Sequence, residues 1–185
     1  GIAVTEDGSV YVWGSIYMGD DAKGNSISKQ YTSPHKVEGV PAGLQVSTGG
    51  GNFTLVTQNG DLYTWGVGQN GYAEGLPQNS PVPIKILSNV EMAVSKGWTS
   101  YAITKNGTLY GWGENWEDTI GLLGGKIWQP TRIMLHVDRV SMDDYKFSTA
   151  ITESGELYMW GFYADRVYEI HDREDWTFQV PEKVD

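Results

Sequence analysis

The residues best suited to chemistry in this chain are aromatic rings set beside carboxylates. They are Tyr17, Asp20, Asp21, Tyr72, Trp116, Glu117, Asp118, Trp128, Tyr163, Tyr168 and Trp176. Trp and Tyr supply large contact areas at interfaces, and carboxylates steer a charged partner's approach. All fall in four stretches, 15–33, 67–80, 114–129 and 162–180, which differ in length and sequence. Groups for covalent or metal chemistry are sparse. His35 and His136 read as edge residues of strands. The run His171-Asp-Arg-Glu-Asp175 has donor types for a cation, but reads better as a solvated charged loop. The pairs Asp20-Asp21, Glu117-Asp118 and Asp143-Asp144 lack the spaced oxygen ligands of a calcium loop and read as solvating charge. No Gly-rich phosphate loop and no nucleophile–base pair is visible. The expectation is therefore no catalytic residue, no metal site and no cofactor.

Composition narrows the partner. The 185 residues carry a net charge of −10, which disfavours binding to a phosphate backbone. No apolar run reaches the ~18 residues of a membrane span. The absence of cysteine excludes disulfides and thiolate metal sites, and fits the cytoplasm as well as secreted bacterial proteins. Eight Trp, eleven Tyr and 24 Gly point to a folded, turn-rich domain.

The elements that hold the loops come from one phrase written four times: Ala3-Val-Thr-Glu-Asp-Gly-Ser-Val-Tyr-Val-Trp-Gly14, then Leu55–Gly66, Ala102–Gly113 and Ala150–Gly161. Its tryptophans, Trp13, Trp65, Trp112 and Trp160, lie 52, 47 and 48 residues apart, a period typical of repeat architectures. Asp7-Gly8, Asn59-Gly60, Asn106-Gly107 and Ser154-Gly155 predict two-residue type I′ hairpins, Ser154 being the poorest fit. After each turn, alternation puts Leu109 and Gly111 on one face and Tyr110 and Trp112 on the other, so both faces need cover. A Val-Ser run precedes each later hairpin (Val46-Ser47, Val94-Ser95, Val140-Ser141). A proline-led run follows each: Pro34-His-Lys-Val37, Pro81-Val-Pro-Ile84, Pro130-Thr-Arg-Ile133 and Pro181-Glu-Lys-Val184. Proline suits the outer edge of a sheet. Each unit thus offers about four short strands, and such sheets repeated at this period are β-propeller blades. The units approximate 1–43, 44–89, 90–136 and 137–185, with the recurring Trp filling the space between blades.

The hairpin T-x-[DNS]-G-x-[LV]-Y-x-W-G, with its Val-Ser and Pro-x-x-[VI] flanks, resembles the RCC1-like repeat (regulator of chromosome condensation). The resemblance covers essentially the whole chain and implies an all-β propeller, commonly of seven blades, of which about four are present. It also departs from the family. No His stands in the segments leading into the hairpins, such as Gly97-Trp-Thr-Ser-Tyr101. The usual Gly-Gln-Leu-Gly survives only as echoes, Gly68-Gln-Asn-Gly71 and Gly121-Leu-Leu-Gly124. Members of the family include exchange factors for small GTPases and a secreted enzyme inhibitor, both acting on a protein partner.

Two functions are carried forward. The first is a non-enzymatic scaffold that binds another protein through the loop face of the propeller. The alternative is a carbohydrate-binding or glycan-processing propeller, with Trp116, Trp128 or Trp176 stacking on sugars. Four units also raise the expectation of a fragment, whose further partners are the remaining blades of a larger propeller or a second copy.

Overall fold

The computed structural model describes residues 1–68, 70–72, 77–143, 147–163 and 176–184, with backbone alone at 117, 162, 163 and 176–178. These residues form antiparallel strands β1 (Ile2–Val4), β2 (Val10–Asp20), β3 (Ser26–Lys36), β4 (Gly43–Thr48), β5 (Asn52–Thr57), β6 (Leu62–Gly66), β7 (Ser80–Leu87), β8 (Val90–Lys96), β9 (Thr99–Thr104), β10 (Leu109–Gly113), β11 (Ile127–Met134), β12 (Val137–Met142), β13 (Phe147–Thr152), β14 (Leu157–Tyr163) and β15 (Trp176–Lys183). Neighbours in sequence pair with one another, giving sheets β1-β2-β3, β4-β5-β6-β7, β8-β9-β10-β11 and β12-β13-β14-β15. Each sheet is one blade; among the described residues the first has three strands and the others four. A single 3-10 turn, Trp116–Asp118, is the helical segment among the described residues, and none is long and apolar enough to cross a membrane.

The hairpin turns differ from the type I′ expectation. Asp7, Asn59, Asn106 and Ser154 do not have positive φ; only the following Gly8, Gly60, Gly107 and Gly155 do, at 82°, 82°, 73° and 84°. Gly8 N donates to Thr5 O, and Thr5 N to Ser9 O, both at 2.9 Å; the other three turns repeat this pair. The loop is therefore three residues long, a type I turn closed by a left-handed glycine. The residue before glycine serves through its side chain. Thr5 and Thr104 donate their hydroxyls to Asp7 Oδ1 and Asn106 Oδ1, and Thr152 Oγ1 lies 2.9 Å from Ser154 Oγ. Ser154 fits this turn as well as Asp or Asn, because it needs no left-handed backbone.

The alternation within strands places a core at each blade junction. Val10, Val12 and Ile16 of the first blade meet Phe53, Leu55 and Trp65 of the second. Val56 and Leu62 meet Val90, Ala93, Ala102 and Trp112. Tyr101, Ile103, Leu109 and Ile120 meet Val137, Val140, Ala150 and Trp160. Each Trp thus packs on the blade before it. Trp65, Trp112 and Trp160 are buried, whereas Trp13 is exposed. Its face points away from the second blade, and no described unit covers it. The expectation that all four indoles are sealed therefore fails at Trp13.

Strand register also corrects the proline alignment. Tyr11, Tyr63, Tyr110 and Tyr158 pair with Lys36, Lys85, Arg132 and Lys183. The second copy of the outer motif is therefore Pro83-Ile-Lys85-Ile86, not Pro81–Ile84. The recurring cation ties the outer strand to the hairpin: Lys85 reaches Asp61 at 2.7 Å and Lys183 reaches Glu156 at 2.8 Å.

At the hairpin end, backbone bonds stitch blade to blade. Gly43, Val90 and Val137 donate to Gly8, Gly60 and Gly107 of the preceding unit at 2.8, 2.8 and 2.9 Å. Gln58, Lys105 and Glu153 donate to Ala42, Asn89 and His136 in the same joints. On the inner strands, Ser95 N donates to Ser47 Oγ at 3.1 Å and Ala93 N to Gln45 Oε1 at 3.1 Å, which gives the recurring Val-Ser serine a bridging role.

Candidate partner-binding face

Antiparallel order sends the variable loops to one end of the molecule. The connections β2–β3, β6–β7, β10–β11 and β14–β15 all leave opposite the glycine hairpins. The inner turns at 49–51 and 97–98 emerge beside them. The frame fixes the loop bases through glycine: Gly66 and Gly113 have φ of 100° and 115°, and a β-carbon there would fall 2.3 Å from Gly51 O and 2.1 Å from Trp98 O. No other residue fits such an approach.

The described parts of the second and third loops are self-bonded. In the second blade the buried Asn70 donates its amide to Gly66 O and Gly68 O at 3.2 and 3.3 Å, and also to Gln78 O. In the third blade the buried Asn115 donates to Leu122 O and Gly124 O at 2.7 and 2.9 Å and accepts from Ile120 N at 2.8 Å. Asp118 has φ of 57° and accepts from Gly124 N at 2.9 Å. The echo in this loop is Asp118-Thr-Ile-Gly121 rather than Gly121–Gly124, because Gly121, like Gly71, ends its segment on the next blade's indole, whereas Gly124 has open space around it. Gly71 and Gly121 each lie flat on the indole of the following blade, with an added β-carbon 3.0 Å from Trp112 and 2.8 Å from Trp160.

Between the third and fourth blades this face opens into a cleft of about 430 Å³, lined by Lys96, Trp98, Thr99, Glu114, Trp116, Met142, Asp143 and Phe147 among others. Trp98 is 42% exposed and Trp116 66%. Trp116 Nε1 donates to Glu114 Oε2 at 2.8 Å, and Glu114 Oε1 is paired with Lys126 at 2.8 Å, so the exposed ring is held in a set orientation. The six-membered ring of Trp98 lies on Gly68 of the second blade, where a β-carbon would fall 2.2 Å away. Beneath the cleft, the buried Tyr101 hydroxyl receives Trp160 Nε1 at 3.0 Å, donates to Thr119 O at 3.0 Å and meets Ser148 Oγ at 3.0 Å. Burial pushes the Tyr101 phenol up to about 12, so it stays neutral at physiological pH.

The other expected residues divide by role. Tyr17 and Tyr72 are buried; Tyr72 donates to Thr64 O at 2.8 Å and pins its loop to the blade. Asp20 and Asp21 close the β2–β3 hairpin: Asp21 accepts from Lys23 N, Asn25 N and Asn25 Nδ2, and Asp20 from Ser26 Oγ. Trp128 lies half-buried on β11, with Lys126 over its ring at 5.8 Å, and does not line the cleft. Tyr163 stands opposite Trp176 in the β14–β15 register. The side chains of Glu117, Tyr163 and Trp176, and all of Tyr168, lie outside the described residues, as does His171. His35 is exposed and stacks on Tyr31 at 4.2 Å; His136 is an exposed turn residue near Glu153. Among the described residues no group of three or more potential ligands is placed to hold a metal ion. Trp98 was missed by sequence reasoning. Its signal was the segment Gly97-Trp-Thr, where the chain departs from its own repeat.

No family model matches the chain. It is 28% identical over 172 residues to the human E3 ubiquitin-protein ligase HERC2, covering 86% of this chain and 4% of that protein. It is 32% identical over 125 residues to the ultraviolet-B receptor UVR8 of Arabidopsis thaliana, covering 65% and 28%. The crystal structure of yeast RCC1 (Prp20) bound to Kap60 superposes with a TM-score of 0.75 at 21% identity, covering 99% of this chain and 47% of that one. The chain is built of RCC1-like repeats. It spans about half of the solved propeller it matches and under a third of these curated relatives. At 21% identity the structural likeness is one of fold: the blades are arranged as in a β-propeller.

Proposed function

We propose that this RCC1-like chain is a non-enzymatic scaffold whose loop face binds another protein. The observation that carries the reading is the cleft between Trp98, on the inner turn and packed on Gly68, and Trp116, on the self-bonded 114–126 loop. Aromatic anchors on a pre-organised surface supply contact area at low ordering cost. The −10 charge of the whole chain favours a partner bearing basic residues. Yeast Prp20p, a propeller of this fold, has binding properties toward Gsp1p and histones, and in another structure it is bound to Kap60.

The test is affinity capture with three proteins: the unaltered chain, the double variant Trp98→Ala/Trp116→Ala, and Lys105→Ala at the opposite end. A protein recovered by the first and third and lost at least tenfold by the second is the expected result. Equal recovery by all three overturns the reading. Retention of a glycan by the unaltered chain, with no protein recovered, would replace it with the sugar-binding alternative.

A further inference from the structure

Two of the four hairpin turns put asparagine directly before the turn glycine, Asn59-Gly60 and Asn106-Gly107, and these two turns face opposite charges. Glycine has no side chain to shield its amide, so in an Asn-Gly pair the glycine nitrogen can attack the asparagine side-chain carbonyl. That nitrogen must first lose its proton, and a nearby cation favours the resulting anion while a carboxylate disfavours it. The two glycine amides are otherwise alike: Gly60 N donates to Thr57 O and Gly107 N to Thr104 O, each at 2.8 Å, and both must open before reacting. Their neighbours across the blade joint differ. A β-carbon on Gly60 would fall 3.3 Å from Lys105 Nζ; one on Gly107 would fall 2.5 Å from Glu153 Oε1. Lys105 and Glu153 hold the same place in successive repeats, each donating its backbone N–H into its joint. Of the other charged groups nearby, Asp61 is paired with Lys85 at 2.7 Å, and His136 lies 3.6 Å from Glu153 Oε2. The asparagine side chains differ as well. Thr104 Oγ1 donates to Asn106 Oδ1 and restrains that amide, whereas the Thr57 hydroxyl accepts from Asp61 N at 3.0 Å and does not hold Asn59.

We propose that Asn59 is a site of spontaneous covalent modification, converted to aspartate and isoaspartate with loss of ammonia, and that Asn106 is its protected counterpart. In the first step Gly60 N, deprotonated beside the Lys105 ammonium, bonds to Asn59 Cγ. The C–N bond of the side-chain amide breaks, and its nitrogen leaves as ammonia with the proton that Gly60 gave up. Water then adds to either carbonyl of the cyclic imide and opens it, leaving a carboxylate beside Lys105. The isoaspartate product carries an extra methylene in the main chain. It falls between Gln58 N, bonded to Ala42 O, and Gly60 O, bonded to Val90 N, so one modified residue acts on the joints to both neighbouring blades.

The test is ageing of the 185-residue chain in mildly alkaline buffer, comparing the parent with Lys105→Glu and Glu153→Lys. Peptide mapping by mass spectrometry follows each asparagine, and labelling by an isoaspartyl methyltransferase counts the isoaspartate. Lys105 and Glu153 are both exposed, so both variants retain the fold, and melting profiles verify it. In the parent, Asn59 converts roughly fivefold faster than Asn106, the scale that exposed charges set. Lys105→Glu slows conversion at Asn59 several-fold, and Glu153→Lys speeds it at Asn106. Equal rates at the two sites of the parent, or faster conversion of Asn106, overturn the proposal. So does a folded charge variant whose facing asparagine, Asn59 for Lys105→Glu or Asn106 for Glu153→Lys, reacts as in the parent.

Discussion

Tyr101 is the residue on which the third junction turns. Its hydroxyl serves Trp160, Thr119 and Ser148 at once, and Gly111 beside it leaves room for the ring, since a β-carbon there would fall 3.1 Å from Tyr101 and 2.7 Å from Ile120 and Ile133. The equivalent position in the second blade holds Thr54, and the Trp112 Nε1 it would have served is buried without a partner among the described residues. Tyr101→Phe should therefore destabilise by about 1–3 kcal/mol, because it strands a buried indole N–H and a carbonyl. Chemical denaturation measures this, and a neutral result would show that the hydroxyl network contributes nothing. Gly121→Ala combines a left-handed backbone with a β-carbon 2.8 Å from Trp160, so a loss of about 1–3 kcal/mol is expected in the same assay. The recurring Trp was legible in sequence because its spacing and alternation are local. Which Trp is covered was not, because that depends on whether a neighbouring blade exists. Tyr17, in the part of β2 beyond the repeated phrase, and Tyr72, in the β6–β7 connection, follow no regular period, so nothing in the sequence distinguished a pinned ring from a free one.

The hairpins and loops each carry a prediction. The Asp61 and Glu156 carboxyls are held below the ordinary carboxylate range, chiefly by Lys85 and Lys183. A depressed carboxylate contributes stability above its unfolded pKa, about 4, and that contribution is lost as pH falls through the lower folded value. Lys85→Ala should be less stable than the parent at pH 7 and indistinguishable from it once both carboxyls are protonated. Melting curves across pH 7 to 2 check this, and a difference that persists at the acid end would assign Lys85 a packing role instead. Asn115→Ala should free the 114–126 loop, with faster limited proteolysis there while β9 and β10 remain intact. The hairpin's existence was legible from Asn-Gly, but its type was not. A two-residue and a three-residue loop share that dipeptide and differ in which Thr and Ser groups close the ladder. Pro81 and Pro83 were likewise indistinguishable until Lys85 was seen opposite Tyr63.

At the scale of the whole molecule, each blade is stabilised by its neighbours, as in other repeat arrays. Hydrogen exchange should be slowest in β5 and β9, covered on both faces, and fastest in β1, with β14 intermediate. Protection of β1 equal to that of β9 would mean the flank is covered in solution. The loop-bearing end and the stitched end carry different duties. Along the lower rim, Gly43, Val90 and Val137 hold the previous unit through main-chain atoms alone. At that rim the step from one wedge to the next is held by peptide groups. Residues could then be inserted in the variable loops at points clear of Gly71, Ile120 and Gly121, which pack on the next unit, without changing the pitch, whereas one residue inserted between Gly39 and Gly43 would move everything downstream.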